Sequence, residues 1–372
     1  MGPQTRRERI GTGEERTGHG PRTSVMRRRS MIEEAQARAD ETGRCIIIHN
    51  GAAWGANGGG QRPEQLAREL ERDACVIHMH GANPNRIQRP VTEAVVTSMG
   101  RAADWFAIEA EHRVLYSGFP EAALWNLLGE IDSSAWPLWY DCIDDWGDFD
   151  APWYSRMREQ NIIARSALVT GTARNLVEHA QALGGHDVRY LPNSTRLLEQ
   201  PTPDVGAEPE VDVVFVGCMS ETWLDWELVE ALVWEGFTVR LIGDPPRSGK
   251  PVNATNLEWY GRVDNAQLRG VLANARVGII PFIDRPLTHA VWPIKYADYL
   301  AAGLPTVAAH LSEIEGEPFC EVTHGVEDFV CAVAEAVRCD WPREEIMQAA
   351  QAHTAAARVA QASEWLTEVC GW

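Results

Sequence analysis

Short apolar runs separated by longer amphipathic stretches recur along the chain, break off, and then recur again. This interrupted alternation constrains the fold more than any other feature of the sequence. The runs are RCIIIHNG at 44–51, ACVIHMH at 74–80, HRVLYSG at 112–118, PLWYDCI at 137–143, ALVTG at 167–171 and VRYLP at 188–192. Runs this short and this apolar suit strands covered on both faces. The stretches between them have helical spacing, as in PEQLARELER, which opens with Pro63. Strands alternating with helices predict right-handed βαβ units on a parallel sheet. Residues 199–210, EQPTPDVGAEPE, are rich in Pro and acid and read as an exposed linker. The alternation then restarts with VDVVFVG at 211–217, FTVRLIG at 237–243, LEWYG at 257–261, VGIIPF at 277–282 and PTVAA at 305–309. The expected fold is α/β, with two tandem doubly wound, Rossmann-like domains facing a cleft. The first domain is read at 31–198 and the second at 211–345, with Ala-rich helices at 346–372 packing back on the first.

Length agrees, since 372 residues exceed what one core ordinarily serves. The net charge of −19 argues against a nucleic-acid surface, which needs clustered Lys and Arg. The first thirty residues run the other way, with eight Arg and three Glu and few apolar side chains, and read as a disordered basic tail. That tail is a candidate for peripheral contact with an acidic membrane face. No apolar run approaches the ~20 residues of a spanning helix. The eight cysteines form no C-x-x-C pair, which suits reduced thiols, so a cytoplasmic protein is expected.

In doubly wound sheets ligands bind outside the carboxyl ends of the strands. Three segments could carry chemistry there. In VWPIKYADYLAAGLPTV at 291–307, Pro293 suits a helix start and Gly303 a helix end. A helix N-terminus there would favour an anion, and Lys295 and Asp298, three apart, share a face. An ordinary solvent-exposed pair is the alternative reading of that spacing. The glycine-rich stretch at 55–60, with Gly58, Gly59, Gly60, Gln61 and Arg62 at its end, reads either as an acceptor-side loop or as a permissive turn. DDWGDFD at 144–150 has the look of a metal-binding D-x-D, but the two-domain layout favours a polar or basic role for Asp144 and Asp145.

PIKYADYLAAGLPTV closely resembles the signature of retaining glycosyltransferases of the GT-B fold, family 4 and its relatives. LPNST at 191–195 resembles the turn that precedes their donor domain. VFVG, LIGDPP and WYGRVDNAQLRGVLANARVGIIPF resemble the strand-and-loop order of that domain. GANGGGQRPEQLAREL and LWYDCIDDW look like the acceptor domain of the teichuronic-acid-type subgroup. The resemblance spans roughly 43–365 and is stronger in the second half. It implies transfer of a sugar, with retention, from a nucleoside diphosphate sugar to a hydroxyl acceptor that is a glycan, lipid-linked or a small molecule. It implies no metal and no bound cofactor. Donor contacts are implied for Gly217, Gly243, Arg262, Val263, His289, Ala290, Val291, Trp292, Pro293, Lys295 and Asp298. Catalytic roles fall to Asp144, Asp145, Lys295 and Asp298.

Asp298 matches the second Glu of the family's E-x7-E motif, which holds the ribose. The first Glu falls at Ala290, leaving His289 or Thr288 as substitutes. The Arg and Lys that relatives carry after the glycine matching Gly217 are absent from CMSETWLDWEL, so Lys295, Arg262, Arg285 or the helix dipole must meet the diphosphate charge. Ile143 stands where relatives often have a His. These departures keep open the reading of a catalytically silent GT-B partner of another transferase, and a sugar-nucleotide epimerase of the same fold is a further alternative.

Overall fold

The computed structural model describes residues 21–50, 62–80, 95–98, 104–148, 151–201, 209–220, 222–246 and 248–372. Its first sheet has seven parallel strands, β1 (Arg44–Asn50), β2 (Cys75–His80), β3 (Val95–Ser98), β4 (His112–Ser117), β5 (Leu138–Cys142), β6 (Leu168–Gly171) and β7 (Val188–Tyr190). They lie in the order β3-β2-β1-β4-β5-β6-β7. The second sheet has six, β8 (Val211–Val216), β9 (Val239–Ile242), β10 (Leu257–Gly261), β11 (Ala275–Pro281), β12 (Thr306–Ala309) and β13 (Cys320–Thr323). Their order is β10-β9-β8-β11-β12-β13. Both orders reverse direction once, between β1 and β4 and between β8 and β11, so each sheet has one switch point.

The period of two sorts side chains onto two faces. In β1, Cys45 and Ile47 join one buried cluster with Leu115, Leu138 and Leu176, while Ile46 and Ile48 join another with Leu66, Val114 and Leu366. That second cluster contains the C-terminal helix Ala355–Cys370, whose Ala362 and Leu366 pack beside Leu66, Ala67 and Leu70 of the helix Arg62–Leu70. The second sheet builds its own core around Val213, Phe215, Ile279, Tyr299 and Val307.

Two expectations need correction. The helix Pro21–Thr42 begins inside the stretch read as a disordered tail. Its composition of Met, Arg, Glu, Gln and Ala has good intrinsic helix propensity, and Ala35 and Ala39 are fully buried against the first sheet. Residues 1–20 lie outside the described residues. Strands β3 and β13 were not anticipated either. VVTS is too short to show a pattern, and CEVT turns Glu321 to solvent. Among the described residues no helix is long and apolar enough to cross a membrane.

Candidate functional site

The carboxyl ends of the two sheets meet across a cavity of about 230 Å³. Its first-domain wall comes from Arg62, Pro63, Ile143 and Asp144, the last two directly after β5. Its second-domain wall comes from Cys218 just after β8, Phe282 just after β11, and Trp223 with the run Val291–Lys295. Cys218 and Phe282 mark the switch point of the second sheet, where a doubly wound fold places its ligand. Asn193, in the connection between the domains, completes the lining.

Pro293 caps the helix Ile294–Ala301 without any side-chain hydrogen bond, and Ile294 and Lys295 of its first turn line the cavity. Lys295 extends from that turn. Its Nζ lies 5.7 Å from the centre of the Phe215 ring and 5.2 Å from that of Phe282. Among the described residues it makes no hydrogen bond and no ion pair. Burial disfavours its charged form and lowers its pKa, with Asp298 and Cys218 opposing. A half-buried ammonium without a partner is costly unless a ligand supplies the anion.

Gly217 and Gly243 explain how Lys295 reaches this place. A Cβ at Gly217, whose φ is 146°, would overlap Lys295 Cε, and one at Gly243, at φ 137°, would overlap the Gly217 carbonyl oxygen. These glycines were expected to admit the donor. They are required already by the protein's own packing, which nests β8 against β9 and lays the lysine across the end of β8.

Across the cavity, Asp144 makes no side-chain hydrogen bond among the described residues. Burial pushes its carboxyl up to about 7, and the neighbouring charge of Asp145 adds to the effect. Asp145 is committed locally, accepting from Gly147 N at 3.0 Å and lying 3.6 Å from His179 Nδ1. His179 also bonds Glu159 at 3.2 Å, and that bond raises its pKa.

Of the residues singled out from sequence, the cavity gathers Arg62, Asp144, Val291, Trp292, Pro293 and Lys295. Asp298 sits one turn deeper, where its Oδ1 accepts a 2.6 Å hydrogen bond from Thr195 Oγ1. Gly58, Gly59, Gly60 and Gln61 lie outside the described residues.

The other residues singled out from sequence have local partners or lie off the cavity. Arg62 is no loop residue. It opens a helix, is 5% exposed, and is locked to Asp141 through Nε at 2.5 Å and Nη2 at 3.2 Å. Arg262 points to the surface and pairs with Asp244 at 2.6 Å, while Arg285 is exposed at the start of the turn Pro286–His289. Neither lines the cavity, where Lys295 and the first turn of its helix lie. Thr288 is fully buried and spent on the carbonyls of Ile283 and Arg285. His289 pairs with Asp284 at 2.8 Å, and Ala290 packs into a first-domain cluster. Val263 follows the Gly261 turn, whose carbonyl accepts from Gly243 N at 2.9 Å.

No protein-family model matches the chain, and no curated protein matches it. Solved structures do. The fold is similar to that of a sucrose-phosphate synthase from Thermosynechococcus elongatus, with TM-score 0.67 and 13% identity over 87% of this chain and 98% of that one. It is similar to Anabaena HepE in complex with UDP, at TM-score 0.64 and 14% identity over 87% and 99%. It is similar also to AviGT4, a glycosyltransferase involved in avilamycin A biosynthesis, at TM-score 0.61 and 13% identity over 88% and 98%. Two Rossmann-like domains in this arrangement are the GT-B fold.

Proposed function

We propose that the chain is a glycosyltransferase that moves a sugar, with retention, from a nucleoside diphosphate sugar to a hydroxyl acceptor. The observation that carries this reading is Lys295, an unpaired half-buried cation beside an uncapped helix terminus, at the switch point of a domain whose structural relatives include proteins solved with UDP or UDP-glucose. Retention, and the assignment to family 4 and its teichuronic-acid-type branch, rest on the resemblance of PIKYADYLAAGLPTV. The diphosphate lies against Val291, Trp292 and Pro293, the ribose against Asp298, and the base near Gly261, Arg262 and Val263. Asp144 orients the acceptor hydroxyl. No metal is required, because Lys295 and the helix terminus take the charge. Peripheral contact with an acidic membrane face would fall to the basic N-terminal residues. A reducing cytoplasm is the compartment that eight cysteines without a C-x-x-C pair suit.

Bond breaking sends negative charge onto the leaving diphosphate and leaves positive charge on the sugar ring. Fixed donors aimed at the diphosphate lower that barrier, and closure of the two domains on the donor keeps water from the ring. A thermal-shift panel of UDP, GDP, dTDP and ADP, with and without Mn²⁺, tests the donor site. Ligand at about 100 times its dissociation constant adds ~2.7 kcal/mol. One base should stabilise the protein equally in both conditions. A shift that needs Mn²⁺ would return the 144–150 carboxylates to the donor site, and no shift with any base would end the donor reading.

The state of Asp144 gives a pH dependence. With its carboxyl pushed up to about 7, it is protonated below that pH and ionised above it. If the carboxylate accepts the acceptor's proton, kcat at saturating donor should rise as pH passes through about 7 and level off above. Asp144→Asn should lower kcat and flatten the profile; the same rising limb in that variant would exclude Asp144 as its source.

A silent partner remains the second reading. Ala290 offers no carboxylate and is turned into the first-domain core, so the first acid of E-x7-E has no substitute there. Nucleotide binding without turnover, in tight association with a second transferase, is the result that would favour it.

A further inference from the structure

The connection between the two domains carries three consecutive polar residues, Asn193, Ser194 and Thr195, whose side chains bond to opposite domains in alternation. Asn193 Nδ2 donates to the Trp292 carbonyl at 2.8 Å, and Thr195 Oγ1 donates to Asp298 Oδ1 at 2.6 Å. Both partners belong to the donor loop and the helix behind it. Ser194, between them, turns the other way and donates to Gln65 Oε1 at 2.6 Å. One residue earlier, the Pro192 carbonyl accepts from Arg62 Nη1 at 3.0 Å. Gln65 and Arg62 lie a turn apart on one first-domain helix. The backbone is fixed as well, since Thr195 N donates to the His353 carbonyl at 2.8 Å. Ser194 and Thr195 are at most 2% exposed.

We propose that Thr195 is a positioning residue for donor recognition: anchored to the first domain through Ser194 and Pro192, its hydroxyl holds one oxygen of Asp298 and turns the other toward the donor's ribose hydroxyls. The inference rests on the glycosyltransferase reading and adds to it that ribose recognition depends on the docking of the two domains. A carboxylate on a helix can rotate about its terminal torsion, and a neutral or misdirected one makes a poor ribose acceptor. Asp298 Oδ2 has no hydrogen-bond partner among the described residues, which leaves that oxygen with an acceptor site to offer one turn below the cavity. The same bond matters for charge. Burial pushes the Asp298 carboxyl up to about 6, and the Thr195 hydroxyl and Lys295 pull against that rise.

The test compares affinities of the full chain for the nucleoside diphosphate selected by the thermal panel, UDP first, and for its 2′,3′-dideoxy counterpart, by calorimetry. A charge-assisted hydrogen bond to the ribose should make the wild-type protein favour the hydroxylated ligand by about 10- to 100-fold. In Thr195→Val the dideoxy ligand should bind as before while the preference collapses toward unity, and Thr195→Ser should restore it. The ratio of the two affinities does not depend on the fraction folded, so it survives the loss of the second bond that Thr195 Oγ1 accepts, from Leu197 N at 3.0 Å. An undiminished preference in Thr195→Val would overturn the proposal and leave the glycosyltransferase reading standing. So would a wild-type protein that binds both ligands equally. Failure of all four nucleotides to bind would remove both.

Discussion

Lys295→Ala is expected to reduce kcat by about 10²- to 10³-fold, the usual cost of removing one preorganised donor from developing charge. The leaving diphosphate gains charge as the glycosidic bond breaks, so the lysine interacts more strongly with the transition state than with bound donor. Nucleotide affinity should therefore fall less than kcat does. Neither Arg262 nor Arg285 lines the cavity, so among the described residues of the donor domain no second basic side chain is placed to compensate. Stability should move in the opposite direction. The ammonium is partly buried, unpaired and held against two aromatic rings, and burial already disfavours its charge. Removing it takes away a burial cost that Asp298, Cys218 and the two rings only partly offset, so the variant should melt at the same temperature as the wild type or higher. Turnover unchanged in Lys295→Ala, measured with a competent donor and acceptor, would show that the lysine does not face the diphosphate.

The helix that carries Lys295 was legible from the sequence because its signal is local, whereas the role of the lysine came only from the resemblance. Pro293, Lys295, Asp298 and Gly303 fall within one helix and its ends, and short-range spacing was enough to put them on one element. All strands but β3 and β13 were legible for a similar reason, since runs such as CIII and VVFV stay apolar without alternation only when both faces are covered. What escaped was whatever depends on distant segments meeting. Thr195 and Asp298 are 103 residues apart, and Arg62 and Asp141 are 79 apart. Nothing in the neighbourhood of either residue announces its partner. A faint signal existed in LWYDC, where one acid stands in a strand buried at every position. A charge there requires a counter-charge from elsewhere. The glycines mislead in the other direction. Gly217 and Gly243 look like ligand-approach positions, yet the packing of β8, β9 and Lys295 already demands them.

Arg62→Ala should be the most destabilising of the substitutions considered, and the reason lies in what it leaves behind. Asp141 is completely buried, and its carboxylate accepts from Arg62, from Tyr116 OH at 2.8 Å and from Thr170 Oγ1 at 2.6 Å. Burial alone would disfavour the guanidinium charge, but Asp141 more than restores it. Removing only the arginine strands a carboxylate in a dry interior at a cost of about 3–5 kcal/mol. For a domain of this size that is a fall in melting temperature of roughly 6–20 °C, readable by calorimetry as an earlier transition. Replacing both partners by apolar residues, Arg62→Met with Asp141→Leu, should recover most of the loss, because no charge then remains to be solvated. Activity should not recover with stability. Arg62 Nη1 also holds the Pro192 carbonyl at the start of the segment that reaches Asp298, and neither methionine nor leucine can replace that donor. If the double variant regained both its melting temperature and its turnover, the pair would serve only to fill the first-domain core, and the link from Arg62 through Pro192 to the donor site would be wrong.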